Sequence, residues 1–526
     1  MFQSISKPPK STMDSFATTS FPVPTTLLAT AVAALLILLL IGRRLLVHST
    51  KKPNYSPIAG TIFHLLFNLH RLVEYQTALS KKYKTFRILT PFGNYVYTVD
   101  PANVEYILKI NFSNYGKGDI NYQLMSDFLG DGIFAVDGDK WRQQRKIASF
   151  EFSTKVLSNY SSRAFKNSAS ELSGIISKLA SSNQMMDIQE LFMKSTLDSI
   201  FKVGFGVELG VLSGLEEGKA FSDAFDEASC QIAYRYFDIL WKVKRFLNIG
   251  SESKMKKNIQ LLDNFVYATI SRKTKQLAEQ GHDGLEKEDI LSRFLVEKEK
   301  PSNGIDDKYL RDIILNFMIA GRDTTAGTLS WFFYMMCKHP HMQDKIAREV
   351  RSTIKIQEGE GKVKIDEFGD YLTEETIKGM QYLHAALTET LRLYPAVPLD
   401  PKYCFSDDTL PDGSDVKKGD LVIYQPYPMG RMKYLWGDDA EIFRPERWLN
   451  NDGIFVPESP FKFPAFQAGP RICLGKEFAY RQMKIMAATL LYLFEFQLWD
   501  SSRDVKSRTM LTLQIEGGLH LRAVHR

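Results

Sequence analysis

"FQAGPRICLG", Phe466 to Gly475, sets Cys473, one of four cysteines in the chain, between two glycines and just after an arginine. Such a cysteine is either a small buried hydrophobe or a metal ligand, and its flanks decide between the two. Gly469 and Gly475 allow a tight loop and let backbone N–H groups approach the sulfur where a side chain would stand in the way. Arg471 brings a forked, always-charged head suited to an anion. The residues that follow, "KEFAYRQMKIMAATLLYLF" (476–494), are patterned as a helix, which puts the positive end of a helix dipole beside the sulfur. A thiolate so placed is suited to haem iron, because the metal keeps the sulfur deprotonated at neutral pH. As an axial ligand it pushes electron density into the iron and favours O–O cleavage.

The composition leaves room for such a site. Of 526 residues, 44% are hydrophobic and 24% charged, which is ordinary for a globular chain with a sizeable core. A formal charge of +6 spread over this length does not imply nucleic acid. Cys230, Cys337 and Cys404 form no C-x-x-C pair with one another or with Cys473, and the nine histidines never meet cysteines at zinc-ligand spacing. Those three cysteines read as buried hydrophobes in a reducing compartment.

The N-terminus reads as an anchor. "LLATAVAALLILLLIG" (Leu27 to Gly42) lies in an uncharged stretch that extends back beyond Phe21, long enough to cross a hydrocarbon core of roughly 30 Å. No small-residue cleavage site follows it. Arg43, Arg44, Lys51 and Lys52 do, and positive charge after the span predicts a cytosolic body. The expected organisation is a polar leader over 1–22, a transmembrane signal anchor over 23–42, a basic, proline-containing hinge over 43–60 and one catalytic domain over 61–526. The Ser/Thr-rich leader also carries a weak likeness to a plastid transit peptide, and Met13 offers an alternative start directly ahead of the apolar run. In a cytosolic body the sequons at Asn54, Asn111 and Asn159 carry no glycan.

Helical patterns dominate the body, so the fold class is mainly α with a smaller β portion. "AFKNSASELSGIISKLASS" and "TIKGMQYLHAALTETLRLYP" have helical period, and "LRDIILNFMIAGRDTTAGTLSWFFYMMCKHP" predicts one long helix through the core. "FGNYVYTVD", "GDLVIYQPY" and "SRTMLTLQI" read as strands bounded by turn residues.

F-x-x-G-x-R-x-C-x-G, matched by Phe466, Gly469, Arg471, Cys473 and Gly475, is the haem-ligand signature of the cytochrome P-450 monooxygenases, which this chain resembles. A chance match occurs on the order of once in ten thousand chains of this length. Three further motifs stand in the family's order. "AGRDTT" (Ala320 to Thr325) implies an acid–alcohol pair beside bound oxygen, in which Thr324 hydrogen-bonds the dioxygen, Asp323 relays protons and Gly321 keeps the backbone clear. Glu389-x-x-Arg392 with Arg447 in "FRPERW" resembles the family's buried ion triad; Trp448 replaces the phenylalanine of many relatives, a conservative change. Trp141 and Arg145 share a helix face and resemble the pair that reaches the haem propionates. The resemblance thus implies the cytochrome P-450 fold, with a long central helix over haem b and a cysteine-ligand loop.

The chain has no dinucleotide fingerprint and no flavin domain, so the electrons must come from outside. The resemblance to membrane-bound eukaryotic members implies NADPH through a separate diflavin reductase of the endoplasmic reticulum. Arg142, Lys146, Lys476, Arg481 and Lys484 are candidates to dock it, or are simply a solvated surface. "FLGDGIFAVDGDKWRQQRKIASFEFS" and "TETLRLYPAVPLDPK" look closely like plant fatty-acid ω-hydroxylases. By that resemblance Phe134, Phe317, Val397, Leu399, Leu511 and Thr512 contact a long-chain fatty acid. A terpenoid or other lipophilic metabolite is the alternative substrate. A haem sensor or carrier without turnover is the rival from another class, against which the Asp323–Thr324 pair argues.

Overall fold

A computed structural model of the chain describes residues 58–526, apart from 91–92, 153–154, 239, 281–288, 299–303, 356–362 and 503–504. The expected leader, anchor and most of the hinge, with Met13 and Asn54, lie outside the described residues. Among those residues no helix is long and apolar enough to cross a membrane.

The β portion is a six-stranded sheet built from β1 (Ile58–Thr61), β2 (Thr85–Thr90), β3 (Gly93–Thr98), β4 (Tyr115–Gly116), β5 (Asp400–Cys404) and β6 (Leu421–Tyr424). The order is β1-β2-β3-β6-β5-β4. Strand β2, "TFRILT", is buried along its whole length, as its β-branched and aromatic residues require. Phe86 stacks on its cross-strand partner Tyr97 of β3 at 5.2 Å. The expected strand "SRTMLTLQI" is instead a hairpin, β7 (Ser507–Thr509) and β8 (Leu513–Ile515), paired antiparallel about a turn at Met510, Leu511 and Thr512. The turn forms because Leu513 N–H donates to the Ala396 carbonyl at 2.9 Å, turning the chain toward the segment before β5.

The helices that position the site are α1 (Gly138–Phe152), α2 (Ile188–Phe205), α3 (Glu216–Arg235), α4 (Asp307–Gly321), α5 (Asp323–Lys338), α6 (Gln381–Leu393) and α7 (Lys476–Leu493). Asp187 caps α2 by accepting from the N–H groups of Gln189 and Glu190, and Asp306 caps α4 by accepting from that of Tyr309. The single long helix expected over Leu310 to Pro340 is two, α4 and α5, broken at Arg322 (φ −80, ψ −70). Two hydroxyls meet carbonyls at the break. Thr324 Oγ1 donates to the Ala320 carbonyl at 2.6 Å, and Thr196 Oγ1 of α2 donates to that of Arg322 at 3.3 Å. Side-chain donors on helix carbonyls loosen the backbone ladder. Phe332 and Phe333 of α5 and Leu490 and Leu491 of α7 are fully buried in the one large core cluster, which fixes α5 and the last turn of α7 against the same interior.

Candidate active site

The cysteine loop is closed by its own backbone. Cys473 N–H donates to the Phe466 carbonyl at 2.8 Å. Gly469 has φ +64, and a Cβ there would stand 2.0 Å from the Leu108 carbonyl oxygen, so no other residue fits. Gly475 is the N-cap of α7, and its N–H points at the Cys473 sulfur. Cys473 keeps accessible surface although neighbouring atoms surround it, so its sulfur faces a recess rather than bulk water. Burial pushes the thiol up; the Gly475 N–H, Arg145 and Lys476 pull it down. Phe466 packs beside the loop against the Tyr480 ring, with centroids 5.3 Å apart.

Two arginines and a tryptophan border that recess. Arg471 lies over the Trp141 ring at 4.4 Å, pairs with Asp137 at 2.6 Å, and leaves its buried Nε without a partner. Arg145, half-buried, has no hydrogen-bond or ion-pair partner among the described residues, and Cys473 is the group that pulls against its desolvation. Sequence reasoning missed a third cluster. Asp400 and Lys402 lie two apart on β5, on the same face, with Nζ of Lys402 at 3.1 Å from the carboxylate and Lys117 at 3.7 Å. Gln467 Nε2 donates to Asp400 at 2.7 Å. Burial pushes Lys402 down to about 7 against the pull of Asp400, with Lys117 and Arg471 adding to the fall. Lys117, Lys402, Arg471 and the partnerless Arg145, set against the carboxylates of Asp400 and Asp137, leave a net positive charge beside the recess. "DPK" carried that signal, but only the fold brings Lys117 to it.

A recess at a thiol, a partnerless guanidinium and an excess of buried cations fit an iron porphyrin with two anionic propionates. Cys473 would ligate the iron; Trp141, Arg145, Arg471, Lys117 and Lys402 would hold the acid groups.

The recess runs into a cavity of about 460 Å³, which Thr324, Phe134, Val397, Leu399, Leu511 and Thr512 line together with Lys117, Asp400 and Gln467. Phe317 does not reach this cavity. It lies about one turn before Ala320 and packs edge-on against Phe152 of α1 at 5.4 Å, because the α4 stripe leaves the cavity there for the core. Gly321 does not line it either. A Cβ there would stand 2.7 Å from Cδ1 of Ile200, so the glycine serves the packing of α4 on α2. Asp323 and Thr324 point apart, since consecutive helical residues diverge. Asp323 is buried and meets Arg322 at 3.2 Å, and Arg322 in turn pairs with Asp226 of α3, half-exposed, and with Ser222. Burial pushes the Asp323 carboxyl up to about 6, against the pull of Arg322.

The three residues that the resemblance implies as an ion triad do meet. Arg392 grips Glu389 through two bonds of 2.7 Å and also donates to the carbonyls of Gly430, Ala440 and Ile442. Arg447 Nε lies 3.5 Å from Glu389. Trp448 is more than a conservative change, because its indole N–H donates to Glu389 at 2.8 Å, which a phenylalanine could not do. Of the five basic residues considered for docking, Arg142 and Lys146 are exposed and Lys476 is half-buried. Arg481 pairs with Glu374, and Lys484 is buried, donating to the Ile377 carbonyl at 2.9 Å.

A thiolate loop at a helix N-terminus beneath a broken helix that bears a threonine defines a haem-thiolate monooxygenase. The chain belongs to the cytochrome P450 family, whose model matches residues 51–521. It is 50% identical over 486 residues to Cytochrome P450 704C1 of Pinus taeda, covering 90% of this chain and 93% of that protein. It is 44% identical over 491 residues to Cytochrome P450 704B1 of Arabidopsis thaliana (89% and 93%). To Cytochrome P450 94A1 of Vicia sativa it is 36% identical over 456 residues (84% of each).

Proposed function

We propose that this monooxygenase hydroxylates a long-chain fatty acid at or near the ω carbon, with electrons from NADPH delivered by a separate diflavin reductase. The carrying observation is the cavity, apolar along most of its lining, with the Thr324 hydroxyl inside. The resemblance to plant fatty-acid hydroxylases supports the same substrate. The reaction balances as R–H, O2, two electrons and two protons giving R–OH and water. Haem bound by Cys473 supplies the iron that activates dioxygen.

This chain's own residues orient the substrate and manage the protons. Phe134, Val397 and Leu399 wall the chain of the substrate away from water. Asp323 sits close enough to neutral pH to take up and release a proton, and Arg322 links it to Asp226 at the surface. Through a water it passes that proton toward the Thr324 hydroxyl, whose oxygen is held in place by its bond to the Ala320 carbonyl. Glu389, Arg392, Arg447 and Trp448 lock α6 to the segment before the cysteine loop. The enzyme is proposed to sit on the endoplasmic reticulum by an anchor over 23–42 with its body cytosolic, where Arg142 and Lys146 meet the reductase.

The test is turnover of a panel of saturated and unsaturated long-chain acids in microsomes with reductase, with product positions identified. Oxygenation within the last few carbons is expected. No product from any chain length, with product from a terpenoid, overturns the fatty-acid reading and leaves the monooxygenase intact.

A further inference from the structure

The cavity does not end among apolar side chains. It opens at Arg508 on β7, an exposed residue that also lines it, with Ser507 and Tyr234 beside it. Two of the lining residues are a lysine or an arginine. Lys117 lies inside and is paired with Asp400 at 3.7 Å. Among the described residues the polar contact of Arg508 is the Cys230 sulfur, at 3.8 Å, a weak acceptor for a group with five donors. Among the described residues no carboxylate lies within ion-pair distance of Arg508. Its acidic neighbours, Glu516 just after the hairpin and also on the cavity wall, and Glu227 near Cys230, are both exposed, and neither pairs with it among the described residues.

The hairpin joins this cation to the reaction end of the cavity. Arg508 stands opposite Gln514 in the β7–β8 register, and the turn beyond it carries Leu511 and the buried Thr512 inward. The tip is pinned twice. Leu513 N–H holds the Ala396 carbonyl at 2.9 Å, and the Leu513 carbonyl comes so near α5 that a Cβ on Gly327 would stand 3.0 Å away. The backbone of the hairpin, pinned at its tip, therefore sets where Arg508 stands relative to the Thr324 side of the cavity.

We propose that Arg508 is the anchor for the substrate's carboxylate, and that the β7–β8 hairpin acts as a ruler which leaves the opposite, methyl end of the chain beside Thr324. This rests on the long-chain-acid reading above and adds to it the means of end selection. A methyl C–H is stronger than that of an internal methylene, so its selection has to come from where the chain is held. A guanidinium fork binds a carboxylate through two charge-assisted bonds, whereas a methyl ester or an alcohol of the same length offers only neutral acceptors.

The experiment uses the full-length haem-loaded enzyme without reductase. Hexadecanoic acid, its methyl ester and hexadecan-1-ol are titrated separately, and binding is read by the Soret spin-state shift and by calorimetry. The wild type is expected to favour the acid over the ester by about tenfold or more. Arg508→Gln should weaken the acid alone and erase that preference, and Arg508→Lys should restore part of it. Unchanged ester binding in Arg508→Gln shows that the fold and cavity survive. With reductase added, Arg508→Gln should spread the products inward from the chain end. Equal loss for acid and ester, or no loss for the acid, overturns the anchor while the fatty-acid reading stands. If the wild type binds neither acid nor ester, that reading fails and the anchor with it.

Discussion

Asp323 shows how one buried carboxyl can serve chemistry at a measurable cost. Its pKa rises from 3.8 to about 6 because burial disfavours the charged form more than Arg322 favours it. The folded chain therefore holds a proton at this site that the unfolded chain has lost. The site's contribution to stability is complete below 3.8 and is lost as pH rises toward 6. Asp323→Asn removes the titration, so its melting temperature relative to wild type should rise as pH is raised from about 4 to about 7. A flat difference across that range would mean that the carboxyl titrates normally. Thr324 carries a different expectation. Thr324→Ala removes the bond to the Ala320 carbonyl and the cavity's inner hydroxyl, yet leaves Cys473 untouched. The reduced, CO-bound enzyme should keep its red-shifted Soret band, while NADPH consumption uncouples from product and hydrogen peroxide appears. Cys473→Ser should lose the band altogether, and its retention would assign the iron to another residue.

At the scale of elements, α6 is tied to the loop before the cysteine by Glu389, and the donors around that carboxylate are not equivalent. Trp448→Phe deletes one donor to a fully buried acceptor and should cost about 1–3 kcal/mol in thermal unfolding of the haem-loaded enzyme. Arg392→Ala leaves Glu389 buried and without its main cation, a loss of about 3–5 kcal/mol that should show as failure to retain haem. If the two variants melted alike, the ranking of those bonds would be wrong. The triad was legible only through the resemblance, since any surface helix can carry Glu and Arg one turn apart and Arg447 lies far off in sequence. The cysteine loop was legible because its glycines and arginine are neighbours in sequence. The break between α4 and α5 was not, since the helical period runs through Arg322 without interruption and the Thr196 hydroxyl that meets its carbonyl comes across from α2. Lys117 escaped for a similar reason, because only the pairing of β4 with β5 brings it beside Asp400. Phe317 was assigned to the substrate by resemblance alone, which gives the helix but not where a cavity stops along it. Lys484 looked like a surface charge because lysine usually is one, yet its helix buries that face.

On the scale of the whole molecule, two groups of exposed apolar residues lie close in sequence to the cavity wall. Phe63 and Phe67, 51% and 79% exposed, precede Leu69 and His70 at the cavity wall. Val243, Phe246 and Leu247, 53%, 88% and 55% exposed, follow Tyr234 and Phe237 at the same cavity. Phe237 packs against the cluster that contains Leu65 and Leu72, so the two groups flank one opening. Soluble surfaces seldom gather apolar area this way, and a bilayer interface would cover it. The basic residues among them add little pull toward anionic lipid, because Lys244 and Arg245 are already paired with Asp238 and Asp127 at 2.7 Å each. Binding should therefore follow the buried phenylalanine area more than salt. Each large side chain moved out of water contributes about 1.5–3 kcal/mol when fully covered. A chain lacking residues 1–42 should still sediment with phosphatidylcholine vesicles, and should do so almost equally at low and high salt. Phe67→Ser with Phe246→Ser should cut that partition by about tenfold or more, with the Soret band of the CO complex kept as the control for folding. If the doubly substituted chain binds vesicles as well as its parent, or if salt alone releases both, the apolar rim is not what meets the membrane, and a lipophilic acid must reach Arg508 from water.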